Sequence, residues 1–311
     1  MSGDASPGWF LVTSPGRTAT YWLAWSLSQH PDIVCSHGNH FPPDIVTFDK
    51  DGRAELDPAH PAEPIRSIYD IPDMGALGVG PEGLSARQDN FNSKTVSEYL
   101  DAHRMFGDSA VIGNVHGYTL GNLRRRLAAE TPDRTISVIN LIRHPVDQIL
   151  SFVSRHQFDA ARSDDYKQAR LNLAGRHEEV TGEVGALFHV DFDDFENMNF
   201  LTTALQVSNM QQDILIEDVE HIPFEELTRS PAIFRKVLAR ITGGADFRVG
   251  PTYIEQVFEE GPMNYSVTEK QPVEDVFAAL QDWQKFLIRN VMTEEVTSRY
   301  SEYGYDMRLL E

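Results

Sequence analysis

Hydrophobic and polar positions follow two rhythms along this chain: short unbroken apolar runs, and longer stretches whose apolar residues recur at helical spacing. Trp9 to Thr13 (WFLVT) is a run of the first kind and leads into Ser14-Pro15-Gly16, which predicts a buried strand entering a tight turn. From Thr20 to Gln29 the residues Trp22, Leu23, Trp25 and Leu27 fall at helical spacing, and His30-Pro31 stops the helix. Further short strands are predicted at Ile33–Cys35, Val111–Val115 and Asp213–Ile216, and the clearest one at Thr135–Ile142 (TISVINLI). Helices are predicted at Leu120–Ala129 and Pro231–Ile241, and over Val273–Val296 as one long amphipathic helix or two around Trp283. Trp283 and Phe286 then read as core. Pro145 stands where a helix after the clearest strand would take its first residue.

Strands alternating with helices predict an α/β fold, a central and mostly parallel sheet flanked by helices. No internal repeat or linker divides the chain, so a single domain over 1–311 is expected. Two stretches interrupt the pattern. Residues about 37–92 are rich in Pro, Gly and Asp with little periodicity, and such a length suits a substrate-facing excursion better than a linker. Residues about 159–200 read as a polar, partly helical, solvent-exposed insertion. Phe91, Tyr99 and Met105, in or near the first stretch, are candidates to line an acceptor pocket.

Composition then narrows the function. The chain has 311 residues, 41% hydrophobic and 24% charged, which is ordinary globular material. Lys plus Arg number 27 against 47 Asp plus Glu, a net charge of −20, so nucleic acid and anionic membranes are disfavoured as partners. Against that field, clustered arginines are informative, although Arg124-Arg125-Arg126 reads first as a solvated helix face. Cys35 is the only cysteine, so neither an intrachain disulfide nor a thiolate cluster is available. No signal-peptide pattern and no apolar run of membrane-spanning length is present, and a soluble, cytoplasmic protein is expected. The oligomeric state stays open, a homo-oligomer included.

Two strand-to-helix turns carry groups suited to anions. The first is Ser14-Pro15-Gly16-Arg17-Thr18-Ala19-Thr20, where small hydroxylated residues and a guanidinium surround a helix N-terminus. It lacks the Lys-Ser/Thr pair of a nucleotide-triphosphatase loop. The second is Arg143-His144-Pro145-Val146-Asp147, with Ser151 two turns into the helix; Arg143 and Ser151 could clamp one phosphate, or Arg143 could simply pair with Asp147.

Together these turns resemble the sulfotransferases that use 3′-phosphoadenosine 5′-phosphosulfate. Gly16-Arg17-Thr18-Ala19-Thr20-Tyr21-Trp22-Leu23 is similar to that family's 5′-phosphosulfate loop, and Leu141-Ile142-Arg143-His144-Pro145-Val146-Asp147 with Ser151 to its 3′-phosphate element. Asn114-Val115-His116 falls where cytosolic members end a strand in the catalytic histidine, and Pro223-Phe224-Glu225-Glu226-Leu227 where they place a tyrosine near adenine. The resemblance spans about residues 9–240 in the family's order. It implies a P-loop-like, three-layer architecture and sulfuryl transfer to a hydroxyl or amine of a small-molecule acceptor, without a metal.

Carried onto this sequence, the resemblance makes Arg17 the group that stabilises leaving-group charge. Gly16, Thr18, Ala19, Thr20 and Tyr21 belong to the donor loop, Phe224 lies near adenine, and Arg143 and Ser151 hold the 3′-phosphate; Trp22 either stacks on adenine or packs in the core of its aromatic-rich helix. His116 is the first candidate for general base, and His37 and His40 are its rivals. The spacing of His37 and His40 could also suit a metal pair, but no third ligand is evident. The departures are specific. Arg17 replaces the cytosolic branch's lysine, Ala19 replaces a loop glycine and so must avoid positive φ or bear strain, and Phe224 lacks the tyrosine hydroxyl. Gly261-Pro262-Met263-Asn264 is not basic where that branch has its Arg-Lys-Gly element. A P-loop-like kinase or NTPase and a non-catalytic nucleotide-binding protein are the alternatives.

Overall fold

A computed structural model describes residues 8–16, 18–30, 32–37, 46–48, 54–56, 111–115, 120–131, 135–154, 178–242, 251–259 and 272–310. Contacts group into two compact units, Met1–Leu141 with Val219–Asn264 and Ile142–Asp218 with Tyr265–Glu311.

The first unit is built on a sheet. Its elements in chain order are β1 (Gly8–Thr13), α1 (Thr20–Ser28), β2 (Ile33–His37), a small antiparallel pair β3 (Val46–Phe48) and β4 (Ala54–Leu56), β5 (Val111–Val115), α2 (Leu120–Glu130) and β6 (Ile136–Ile142). The five-stranded sheet has the order β2-β5-β1-β6-β7, where β7 is Glu220–Pro223. β1 runs parallel to β5 and to β6, and β2 runs parallel to β5. The chain is therefore an α/β protein with a mostly parallel sheet, as its alternating pattern predicts. β1 is central, and Phe10, Leu11 and Val12 are fully buried, which explains why its sequence is a continuous apolar run rather than an alternating one.

Gly113 on β5 lies opposite Phe10 on β1. A Cβ at Gly113 would sit 2.3 Å from the Phe10 ring, so this close approach requires glycine. α1 packs on β2 and β5. Its Trp22, Leu23, Trp25 and Leu27 join a core that includes Ile139, Leu141, Phe234 and Val257. That core is closed by α6 (Phe224–Leu227), α7 (Pro231–Ile241) and α8 (Pro251–Glu259). In numbering order the helices between β6 and α6 belong to the second unit.

The second unit is helical: α3 (Pro145–Val153), α4 over residues 178–188, α5 (Phe195–Gln211), α9 (Val273–Ala278), α10 (Asp282–Val291) and α11 (Glu294–Glu302). Its core gathers Ile149, Leu201, Leu205, Leu287, Ile288, Val291 and Tyr300, with Trp283 edge-on to both Phe192 and Phe200. A buried polar chain crosses it, in which Tyr300 Oη donates to Gln211 Oε1 and Gln211 Nε2 donates to Gln148 Oε1. Among the described residues no helix is long and apolar enough to cross a membrane.

Three sequence expectations need correction. Asp213–Ile216 is not a strand; residues Gln212–Leu215 form a 3-10 turn that tightens the end of α5, and the strand comes later at Glu220–Pro223. The region Val273–Val296 holds neither one helix nor two but parts of three. Its breaks lie at caps: Gln281 and Gln284 form a reciprocal capping box at the start of α10, and Thr293 Oγ1 accepts from Val296 N at 3.4 Å at the start of α11. Finally, the described part of the polar stretch 159–200 is not all exposed, because Val184, Phe192 and Phe200 enter the second unit's core.

Candidate functional site

In the first unit, β1 delivers the chain from the middle of the sheet into the turn that sequence analysis singles out. Ser14 and Thr18 are fully buried, and their hydroxyls are hydrogen-bonded to each other. Ser14 Oγ also accepts from Gly16 N at 2.8 Å, closing a tight loop of the kind serine favours. Gly16 has φ 96°, a left-handed conformation that only glycine adopts without penalty. Ala19 has φ 54° and ψ 30°, also left-handed. Here the alternative that the missing glycine left open is decided: the alanine bears the strain, which costs about 1–2 kcal/mol.

Ala19 is also the N-cap residue of α1, and among the described residues no side chain caps this helix. The first N–H groups of a helix have no partner within it, so an uncapped start presents donors and the positive end of the helix dipole. Thr20 opens α1, and its Oγ1 lies 3.0 Å from Nε2 of His37, the last residue of β2. The structure thus brings one of the three candidate histidines to the turn. His116 and His40 lie outside the described residues, as does Arg17. Asn114, two residues before His116, is fully buried on β5.

Trp22 does not present a free face. It is 2% exposed and meets Phe234 at 5.8 Å and Phe258 edge-on at 6.0 Å between ring centroids, which is core packing rather than a stacking platform. Phe224 opens the short helix α6, half-buried. Tyr21 lies on α1. Arg125 on α2 is exposed, in keeping with a solvated face. Phe91, Tyr99, Met105 and the segment Gly261–Asn264 lie outside the described residues.

The second turn belongs to the second unit and is built differently. Pro145 is the first residue of α3, as predicted. His144 is the N-cap: its Nδ1 accepts from Val146 N at 3.3 Å, while Nε2 faces the Asp306 carbonyl oxygen at 3.1 Å. Only the Nε2–H tautomer satisfies both contacts. Tyr305 packs edge-on against the His144 ring and donates its hydroxyl to the Ile142 carbonyl at 3.2 Å. Arg143 pairs with Asp147 at 3.6 Å, both side chains largely buried. Ser151 is half-buried on α3.

Sequence reading missed one polar group of the first unit, the row of Thr13, Asn140 and His221 across β1, β6 and β7. A signal existed, since Asn140 interrupts the otherwise apolar end of the clearest strand. Among the described residues no cluster of His, Cys, Asp and Glu is placed to hold a metal.

No protein-family model matches the chain, and no curated protein does. It is similar to several solved structures, three of which follow. One is a sulfotransferase from Alicyclobacillus acidocaldarius, 17% identical, covering 95% of this chain and 99% of that one with a TM-score of 0.40. Another is the sulfotransferase domain from the curacin biosynthetic pathway, 14% identical, covering 96% and 98% with a TM-score of 0.45. A third is the sulfotransferase domain from the Synechococcus PCC 7002 olefin synthase, 14% identical, covering 96% and 95% with a TM-score of 0.43. The fold described here rests on this chain's own strand pairings.

Proposed function

We propose that this protein is a soluble, cytoplasmic sulfotransferase. It moves a sulfuryl group from 3′-phosphoadenosine 5′-phosphosulfate to a hydroxyl or amine of a small-molecule acceptor. The observation that carries the reading is the β1–α1 turn. A strained left-handed alanine, a left-handed glycine and three hydroxyl-bearing residues surround an uncapped helix start at the carboxyl end of the central strand. In open parallel sheets this is where anionic ligands bind. The motif order of the sequence supplies the chemical identity of the donor.

Sulfuryl transfer is an in-line displacement dominated by positioning and charge stabilisation, much like phosphoryl transfer. In this reading Arg17 stabilises charge on the leaving 5′-phosphate oxygen, and the backbone from Gly16 to Tyr21 with Thr18 and Thr20 holds that phosphate. Arg143 and Ser151 are the residues proposed for the 3′-phosphate, and Phe224 is proposed near adenine. A base removes the acceptor's proton as the new bond forms. His116 is the first candidate, with His37 and His40 beside it; the contact between His37 and Thr20 supports His37.

A thermal-shift titration with 3′-phosphoadenosine 5′-phosphate tests the donor class, with ATP and AMP as controls and with and without Mg²⁺. A ligand bound only by the native state raises the melting temperature by mass action. The expected result is a metal-independent rise for the 3′-phosphorylated nucleotide alone. No rise, or one confined to Mg-ATP, overturns the reading.

A further inference from the structure

Three neighbouring strands of the first unit each contribute one buried polar side chain to a continuous row. Thr13 ends β1, Asn140 is its register partner on β6, and His221 stands on β7. Their exposures are 0%, 1% and 4%. Thr13 Oγ1 lies 2.9 Å from Asn140 Oδ1 and 3.2 Å from the Ile139 carbonyl. Asn140 Nδ2 lies 3.0 Å from His221 Nδ1.

The order of donors along the row is not arbitrary. Both partners of Thr13 are acceptors, so its single hydroxyl proton goes to one of them, and Asn140 Oδ1 is the nearer. An amide carries its oxygen and its NH₂ at opposite ends, so the end that faces His221 decides what faces Thr13. With Asn140 Nδ2 donating to His221, the histidine Nδ1 acts as acceptor and Asn140 Oδ1 is left to receive the Thr13 proton. His221 thereby fixes the hydroxyl rotamer of a residue two strands away.

Thr13 is joined directly to Ser14, and Ser14 Oγ holds both Gly16 N and the Thr18 hydroxyl. The turn's entry is thus anchored on one side by the row and on the other by its own hydroxyls. From this we infer that Thr13, Asn140 and His221 are positioning residues for the anion-binding turn. They hold the entry to the turn, where Ser14 fixes Gly16 and Thr18 ahead of the strained Ala19, without touching the ligand. The inference rests on the proposed function for the identity of the ligand, but not for the existence of the anchored turn.

Two variants break the row at opposite ends, and each has a conservative control. Thr13→Val removes the hydroxyl at nearly constant shape, and Thr13→Ser keeps it. His221→Phe removes the acceptor, and His221→Asn returns one at similar reach. Calorimetric titration with 3′-phosphoadenosine 5′-phosphate is expected to show about tenfold weaker binding for Thr13→Val and for His221→Phe, because a turn no longer held in advance must be ordered when the ligand binds. Binding is expected to be largely restored in the conservative variants. Because the residues act as one unit, the double variant should bind no more than about twofold weaker than either single one.

A purely structural role would lower the melting temperature of the unliganded protein and leave the affinity of the folded protein unchanged; that result overturns the inference. If His221→Phe fails to fold, the Thr13 pair decides alone. Should the wild-type protein not bind the nucleotide, the donor assignment fails. The row is then tested by hydrogen exchange at the amides of Gly16 and Thr18 in Thr13→Val. Faster exchange there than in wild type, with the core unchanged, supports the anchoring, and unchanged exchange overturns it.

Discussion

The two strand-to-helix turns look alike in sequence, each placing an arginine and small polar residues at the start of a helix, yet the folded chain treats them in opposite ways. At the second turn the helix is closed. His144 caps α3 through Nδ1, Pro145 supplies a first residue with no N–H to satisfy, and Asp147 in the first turn pairs with Arg143. At the first turn the helix is open: Ala19 caps α1 with no side chain, in a conformation alanine resists. The start of α3 has a donor satisfied by its own cap, whereas the start of α1 has no side-chain cap among the described residues. Under the proposed function, the first turn carries the chemistry and, at the second, Arg143 and Ser151 bind the donor.

The most severe way to break that division is to remove each arginine in turn. Arg17→Ala should lower kcat by about 10²–10³, the loss typical of a missing group that stabilises transition-state charge. Arg143→Ala should act mainly on the donor KM, because it removes binding shared by ground state and transition state. Initial-rate kinetics over a donor series separates the two. Equal losses in kcat at both positions would mean that the turns do not differ in role.

Stability gives the next largest contrast. His144→Ala removes the α3 cap and the hydrogen bond to the Asp306 carbonyl, and should cost about 2–3 kcal/mol. Ala19→Gly goes the other way. Relief of the left-handed strain at φ 54° should outweigh glycine's greater loss of backbone freedom and stabilise by a few tenths to about 1 kcal/mol. Urea denaturation of both variants reads the sign directly. A stabilising His144→Ala, or a strongly destabilising Ala19→Gly, would undo the distinction between a closed and an open helix start.

The same positions show why the sequence was readable in some places and not in others. β1, α1, β5, α2, β6, α3 and α7 were legible because each is bounded by a turn, a proline or a polar cluster and buries one clear run or stripe. Helix α5 carried no such signal. It buries Asn199, Thr202, Thr203 and Ser208 alongside Phe200, Leu201 and Leu205, so most of its circumference faces protein and the amphipathic period vanishes. β7 is only four residues long and ends in Pro223, too short to stand out, while the apolar Asp213–Ile216 run imitated it. Of the site, residue types at the first turn were legible, and the strain at Ala19 was visible as a missing glycine. Of the row only Asn140 was signalled locally, and its completion by Thr13 and His221 was not, because that depends on strand order, which no local pattern encodes.

Acid titration supplies the finest contrast between the units. In the first unit His30, beyond the end of α1, is buried with its Nδ1 accepting from Asp32 N at 3.2 Å. Burial lowers its pKa below the usual 6.5, with the Asp32 charge opposing in part. The native state therefore binds fewer protons than the unfolded one once the pH falls below 6.5, and stability must decline on acidification from that point. His30→Asn, which keeps an acceptor for Asp32 N, should flatten that slope in urea midpoints measured from pH 7 to 5. In the second unit Asp306 behaves in the opposite sense. Hydrogen bonds from the Arg308 side chain and backbone hold its carboxyl at about 2, below the ordinary 3.8. Its contribution is complete above pH 3.8 and disappears only as the pH falls through about 2, so it adds nothing to the slope near neutrality. Because Asp306 is exposed, the effect on stability is the smallest of those considered, and an NMR titration of its carboxyl carbon is the suitable measurement. Arg308→Ala should move that titration back toward the usual carboxylate range while leaving the His144 cap in place, since His144 contacts the Asp306 backbone and not its carboxylate. A carboxyl that titrates normally in the wild-type protein would mean that the Arg308 hydrogen bonds do not hold it in solution.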